Sequence, residues 1–282
     1  MLIKTKFITS NKLSFYRTTH TFKRYGEFGS LEEFKDFYLW AKRNNFKIYI
    51  LGNGSNTLFV RKNVESLVLK NKLYQTINVI STDTVKVSSS TLIREVLKYC
   101  SNNSLSSFYY LASVPATVGG ALAMNAGRGQ KFKQTIYDFV ESVDFYDFED
   151  NCIKTLKKDL IIKGYRETIF TGIQSKLILS VVFKFEKIKL EENPILQRCN
   201  WSRQNQDYSA HNCGSVFKQA DFSILEKIKG LHIGKASFSK KTNNWILNKS
   251  ENYFSILSLI WIVKAIHYIK RKIAKIELIL VD

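Results

Sequence analysis

The segment Ala112-Ser113-Val114-Pro115-Ala116-Thr117-Val118-Gly119-Gly120-Ala121-Leu122-Ala123-Met124-Asn125-Ala126-Gly127 decides how the rest of the chain is read. Its side chains are nearly all small, so the backbone is the surface it offers. Glycines free to turn tightly let successive N–H groups converge into a concave nest suited to a phosphate. A second glycine cluster, Leu51-Gly52-Asn53-Gly54-Ser55-Asn56-Thr57-Leu58, lies upstream, directly after the apolar run 46–51. On its own this shorter cluster also reads as a plain glycine-rich turn. It does not fit the dinucleotide pattern GxGxxG followed by a helix, because Thr57-Leu58-Phe59-Val60 reads as another strand, and a Rossmann domain is disfavoured.

Around these clusters the chain mixes helix and strand signals, which gives an α+β reading. Residues 30–45 predict a helix with Ser30 as N-cap and Glu33 at capping-box spacing. Strands are expected at 64–73, 79–90, 143–148 and 177–186, and a short helix at 92–100. In the last of these strands Val181, Phe183 and Phe185 alternate with Val182, Lys184 and Glu186, the period of a strand buried on one side. Residues 186–206 turn polar around Pro194 and read as a domain junction. A loop at 211–218, a helix at 254–272 and a terminal strand at 276–281 complete the chain. No internal repeat is visible.

A chain of 282 residues holds one large domain or two to three smaller ones at about 150 residues each. With 45% hydrophobic and 24% charged residues, disorder, collagen and coiled coil are excluded. Its 43 Lys and Arg against 24 Asp and Glu give a net charge of +19, which draws anions: nucleic acid, an acidic membrane surface or phosphorylated ligands. A composition rich in Lys, Asn and Ile accounts for the same excess without function. Cys100, Cys152, Cys199 and Cys213 form no CxxC pair and lie at no metal-ligand spacing from a histidine, so they read as reduced thiols and no metal is expected. Residues 1–20 lack the apolar core of a signal peptide, and the stretch 255–269 is too short to span a bilayer, so a cytoplasmic protein without membrane insertion is expected.

The two glycine clusters, together with Gly164-Tyr165-Arg166-Glu167-Thr168-Ile169-Phe170, Cys213-Gly214-Ser215-Val216-Phe217-Lys218, the stretch 230–248 and Ile276-Glu277-Leu278, resemble the UDP-N-acetylenolpyruvoylglucosamine reductase family in order and over nearly the whole chain. The resemblance implies a two-part FAD-binding module of the vanillyl-alcohol-oxidase type at 1–72 and 73–188, then an α+β substrate-binding domain at 189–282. It implies an oxidoreductase in which NADPH delivers hydride through FAD to the enolpyruvyl double bond of a UDP-sugar, in peptidoglycan synthesis. The FAD is expected to be non-covalent, since neither glycine-rich segment holds a His or Cys to attach it. Cofactor contacts are implied for Gly52, Asn53, Gly54, Ser55, Asn56, Pro115, Ala116, Thr117, Gly119, Gly120 and Asn125, largely through backbone amides.

Arg166 matches the family arginine facing the substrate carboxylate, Glu277 the C-terminal glutamate assisting the same intermediate, and Ser215 the serine that delivers the proton. These roles suit the residue types: a guanidinium binds growing carboxylate charge bidentately, and a positioned hydroxyl acts as general acid. Without the resemblance, Arg166 would read as a surface residue and Ser215 as part of a turn. Substrate contacts are implied for Tyr165, Arg203, Lys218, Ser239 and Asn248, with a solvated basic face as the alternative for Lys218 and Arg203. The chain departs from the family pattern at Arg24-Tyr25-Gly26-Glu27, at Ala116, and at Ser239-Lys240-Lys241-Thr242, where the family carries Ser-Glu-Lys-His. Lacking an insertion after Phe170, it resembles the shorter subtype. A monomer without nucleic-acid partners is expected. The alternatives are a paralogue acting on another nucleotide sugar in surface-polysaccharide synthesis, and a non-catalytic basic binding protein on the same fold.

Overall fold

The computed structural model describes residues 5–172 and 175–282. Helix α1, Leu31–Arg43, starts where the sequence places it: the Ser30 side chain accepts from Glu33 N, and Glu33 Oε2 accepts from Gly29 N at 2.6 Å, one residue further back than an ideal capping box. Phe34, Phe37 and Ala41 share the buried face. They pack against a four-stranded sheet of Lys6–Ser10, His20–Phe28, Asn63–Asn71 and Ile48–Leu51, antiparallel in its first pair and parallel in the other two.

A second, wholly antiparallel sheet runs Cys152–Leu156, Val140–Asp147, Lys176–Lys184, Thr84–Ser88, Ile77–Val79. Val181 and Phe183 point into a core shared with helix α2, Ile93–Asn102, and helix α3, Val118–Ala123. The single strand expected at 79–90 is instead a hairpin. Asp83 Oδ1 accepts from the hydroxyls of Ser81 and Thr84 at 2.6 and 2.9 Å and turns the chain between the two strands.

The polar stretch read as a junction contains helix α4, Pro194–Asn205, started by Asn193, whose side chain accepts from the Ile195 and Leu196 amides, with Pro194 in the first turn. Ile195 packs on the core of the five-stranded sheet. A third core gathers residues of 213–278 around helix α5, Phe222–Lys227, and helix α6, Tyr253–Ile269. Tyr16 and Leu58 enter the same core from the N-terminal part of the chain.

The C-terminal strand is broken. Lys275–Ile276 pairs with Phe217–Gln219, whereas Ile279–Val281 runs parallel to Thr57–Phe59. Glu277 lies at the crossing between these partners. Its N–H donates to Val216 O at 2.7 Å, its carbonyl accepts from Asn56 Nδ2 at 3.1 Å, and Ile279 N donates to Asn56 O at 2.9 Å. The first glycine cluster and the end of the chain are thereby sewn together.

Candidate active site

One cavity of about 1230 Å³ is lined by both glycine clusters and by residues from the C-terminal region. Pockets for one small ligand usually measure about 300–1,000 Å³, so this one has room for a dinucleotide and part of a second molecule.

The first cluster forms the donor-rich wall. Among the described residues, the N–H groups of Asn53, Gly54, Ser55 and Asn56 meet no protein acceptor. The turn is locked in place, because Phe15 N donates to Gly54 O at 3.0 Å and Asn53 Nδ2 to Pro115 O at 2.8 Å, while the Lys70 ammonium donates to Gly52 O. Gly54 has φ +74°, and a Cβ there would lie 2.2 Å from Leu13 O, so only glycine fits.

The second cluster works differently from the expectation. Val118 N donates to Thr91 O, Gly119 N to Ser89 O, Gly120 N to Thr117 Oγ1 and Ala121 N to Thr117 O. Its amides are consumed by the start of α3 and the loop before α2. What it presents is a smooth wall of small residues; a Cβ on Gly119 would come within 2.9 Å of Ser89 Cβ. Gly52, Asn53, Gly54, Ser55, Asn56, Pro115, Ala116, Thr117, Gly119 and Gly120 all line the cavity.

Asn125 does not line it. At the end of α3 it adopts φ +43°, sends Nδ2 to Gly164 O at 3.0 Å, and gives its own carbonyl to Arg166. It supports the hairpin Ile162–Gly164 to Glu167–Thr168 that carries Arg166.

Arg166 sits in the turn of that hairpin with φ +58°, a left-handed conformation uncommon for a side-chain-bearing residue. Nη1 donates to Asn125 O at 3.0 Å and Nη2 to Gly127 O at 2.8 Å, which holds the guanidinium rigidly. Its Nε lies 3.0 Å from Glu277 Oε1, an ion pair whose N–H is not aligned as a hydrogen bond. Both partners are largely buried, at 12% and 14% side-chain exposure. Burial raises the Glu277 pKa above the usual carboxylate range, and the charges of Arg166 and Lys218 offset this only in part.

Ser215 enters from the loop after Gly214, bridged to Trp245, and its hydroxyl has no protein partner among the described residues. Val216 holds Glu277 through its carbonyl, so Ser215 is one residue from that anchor. Arg166, Ser215 and Glu277 thus line one cavity although they are far apart in sequence.

The expected substrate contacts divide. Asn248 lines the cavity but is committed, its Nδ2 donating to Tyr16 O at 2.8 Å and to Ser250 O. Tyr165, Arg203, Lys218 and Ser239 do not line it. Tyr165 lies beneath the Arg166 guanidinium, 5.1 Å from ring centroid to Cζ. Lys218 pairs with Glu167 at 3.2 Å. Arg203 is exposed on α4, and Ser239 is buried with its hydroxyl given to Asp207 at 2.6 Å. Thr242 accepts from Asp207 N at 2.8 Å, and the Lys240 stem lies against Gly230. Residues 239–242 do not line the cavity, but Ser239 and Thr242 hold Asp207, whose neighbours Gln206 and Tyr208 do.

The cavity also holds groups that the sequence did not single out. Arg128 and Arg198 both line it, and Arg198 has its pKa lowered by burial and by the charge of Arg128. Two guanidiniums within electrostatic reach favour an anion between them. The Tyr110 hydroxyl is buried without a partner among the described residues, and Asn71 donates to Ser89 Oγ at 3.0 Å on the same wall. Unpartnered amides, a wall that excludes side chains, and the size of the cavity together fit FAD.

The fold and site define an FAD-dependent oxidoreductase. The FAD binding domain profile matches residues 24–156. The chain is 32% identical over 251 residues to a UDP-N-acetylenolpyruvoylglucosamine reductase of Aquifex aeolicus, covering 85% of this chain and 82% of that relative. It is 34% identical over 232 residues to the reductase of the same name from Francisella tularensis, covering 78% and 81%. The crystal structure of UDP-N-acetylenolpyruvylglucosamine reductase (MurB) from Thermus caldophilus superimposes with a TM-score of 0.76 over 99% of each chain, at 22% identity, which shows a shared fold. This chain belongs to the UDP-N-acetylenolpyruvoylglucosamine reductase family.

Proposed function

We propose that the protein reduces the enolpyruvyl ether of UDP-N-acetylglucosamine to the lactyl ether of UDP-N-acetylmuramate, with NADPH as electron donor, in peptidoglycan synthesis. The observation that carries this reading is the convergence of Arg166, Ser215 and Glu277 on the cavity that also holds the open amides of 53–56. FAD bound there supplies hydride transfer, with residues 52–56 and 115–120 holding it without a covalent bond.

The protein's own groups do the rest. Arg166 has its Nη atoms fixed on two carbonyls, so it meets the substrate carboxylate without reorganising, as preorganised electrostatic stabilisation requires. Glu277, held 3.0 Å from Arg166 Nε, lies beside the place where charge grows and assists the same intermediate. Ser215 keeps its hydroxyl free to give its proton to the carbon next to the one that receives hydride. Arg128 and Arg198 take the phosphates of the nucleotide. The working division is a flavin module at 1–72 and 73–188 and a substrate domain at 189–282, acting as a monomer.

The test is a product analysis. Protein, NADPH and the enolpyruvyl UDP-sugar in deuterated water yield a product that has gained two hydrogens, with solvent deuterium at the carbon served by Ser215. Recovery of unchanged substrate while NADPH is consumed contradicts the proposal.

A further inference from the structure

Helix α6 is apolar on its solvent side as well as its core side. Ile256, Leu259, Ile260 and Val263 are buried, while Phe254, Trp261, Ile262, Tyr268 and Ile269 are exposed, Trp261 at 50% and Ile269 at 78%. Phe254, Trp261, Ala265 and Tyr268 follow the helical repeat and Ile262 and Ile269 form the row beside them, so the exposed side chains make one broad face. A helix that is apolar all round is normally buried. Here the outer stripe lies open to solvent.

The charge on the helix and the segment after it is of one sign. Residues 253–276 contain Lys264, Lys270, Arg271, Lys272 and Lys275 and no carboxylate. Lys272 pairs with Asp221 at 3.5 Å, while the other four make no ion pair among the described residues. Lys264 Nζ lies 4.7 Å from the Trp261 ring centroid, which places a cation beside the exposed aromatic. At 17 residues, α6 is too short to cross a bilayer, and no helix among the described residues is long and apolar enough to do so.

We propose that this face docks on an anionic lipid surface. The helix lies flat, with Trp261, Ile262 and Ile269 at the acyl boundary and the Lys and Arg groups on the lipid phosphates, the arrangement that amphipathic aromatic and cationic side chains favour at an interface. A second copy of the chain fits poorly. Two chains that each carry +19 repel on approach, which opposes pairing through this stripe.

The test floats the FAD-loaded full chain with vesicles of phosphatidylcholine alone and of phosphatidylcholine mixed with phosphatidylglycerol. The parent floats with the anionic vesicles only, and salt releases it. The Trp261→Gln/Ile269→Gln variant stays in solution. Lys270→Gln/Arg271→Gln lowers partitioning roughly 25-fold, at about five-fold per cation. None of these residues lines the cavity, so reductase activity in solution is unchanged in both variants. Equal flotation with neutral vesicles, or no flotation of the parent, overturns the proposal. So does a dimer in light scattering that Trp261→Gln/Ile269→Gln dissociates, because that assigns the stripe to a second copy.

Discussion

Arg166 and Glu277 form a buried ion pair, yet replacing them has unequal consequences. At 3.0 Å the pair attracts by about 5 kcal/mol at an effective dielectric of about 20. Removing a carboxylate from water costs several kcal/mol, the same order. The raised pKa of Glu277 decides between them, since burial outweighs the attraction of Arg166 and Lys218. Glu277→Gln keeps the shape and drops one buried charge, while the Arg166 guanidinium stays held by Asn125 O and Gly127 O, so its expected cost is smaller than that of Arg166→Met. Arg166→Met instead strips donors from Asn125 O and Gly127 O, two charge-assisted hydrogen bonds worth roughly 1.5–3 kcal/mol each.

Thermal unfolding of the apoproteins followed by circular dichroism checks this. At roughly 2–4 °C per kcal/mol for a chain of this length, the loss of both bonds in Arg166→Met lowers Tm by about 6 °C or more, and Glu277→Gln lowers it by less. The pH dependence has a definite sign. A carboxyl whose pKa is raised on folding contributes stability below its unfolded pKa of about 4.3 and loses it as pH rises through the folded value. The Tm of Glu277→Gln relative to the parent therefore rises between acid and neutral pH. Equal losses in the two variants, or a relative Tm that falls with pH, refute the reasoning, because the ion pair itself would then hold the site together.

Three further outcomes are expected. Ser215→Ala leaves stability unchanged within about 0.5 kcal/mol, since its hydroxyl serves no protein partner among the described residues, but slows reoxidation of the reduced flavin by the enolpyruvyl sugar about 100- to 10,000-fold; stopped-flow traces with equal loss in flavin reduction would assign Ser215 a shaping role only. Gly54→Ala places a Cβ against Leu13 O and forces a φ of +74° on alanine, so the purified variant is expected to lack flavin colour while remaining folded in its other cores; full flavin occupancy would show that the turn is not the cradle. Acid precipitation of the native protein should release all flavin to the supernatant, and colour retained in the pellet would reveal a covalent bond.

Much of the fold was legible because local chemistry and tertiary packing agree. The Ser30 cap, the alternation at 181–185 and the strand after the first glycine cluster all appear as read. The hairpin at 77–88 was hidden because both of its arms are strands, and the only mark of the turn is Asp83 with its two hydroxyl neighbours. Helix α4 was hidden in polar composition, its few apolar residues lacking a helical stripe, although Asn193-Pro194 is a start signal in retrospect.

For the site, the quoted blocks brought Arg166, Ser215 and Glu277 within view, but spacing says nothing about which amides stay open. Gly119 and Gly120 looked like donors and are spent on Ser89 and Thr117. Asn125, read as a cofactor contact, gives its carbonyl to Arg166 and its Nδ2 to Gly164 O. Arg128 and Arg198 carry no local pattern at all, and only the fold brings them to one cavity.

The central claim is that one cavity joins the open amides of 53–56 to Arg166, Ser215 and Glu277 in a single reductase site. An anaerobic titration tests it most directly: the purified protein is reduced with NADPH, then mixed with the enolpyruvyl UDP-sugar while the visible flavin band is followed. The account predicts that the band bleaches on the first addition and returns on the second, one flavin for each sugar reduced, and that Arg166→Met bleaches but does not recover. A band that returns with oxygen but not with the sugar would contradict it.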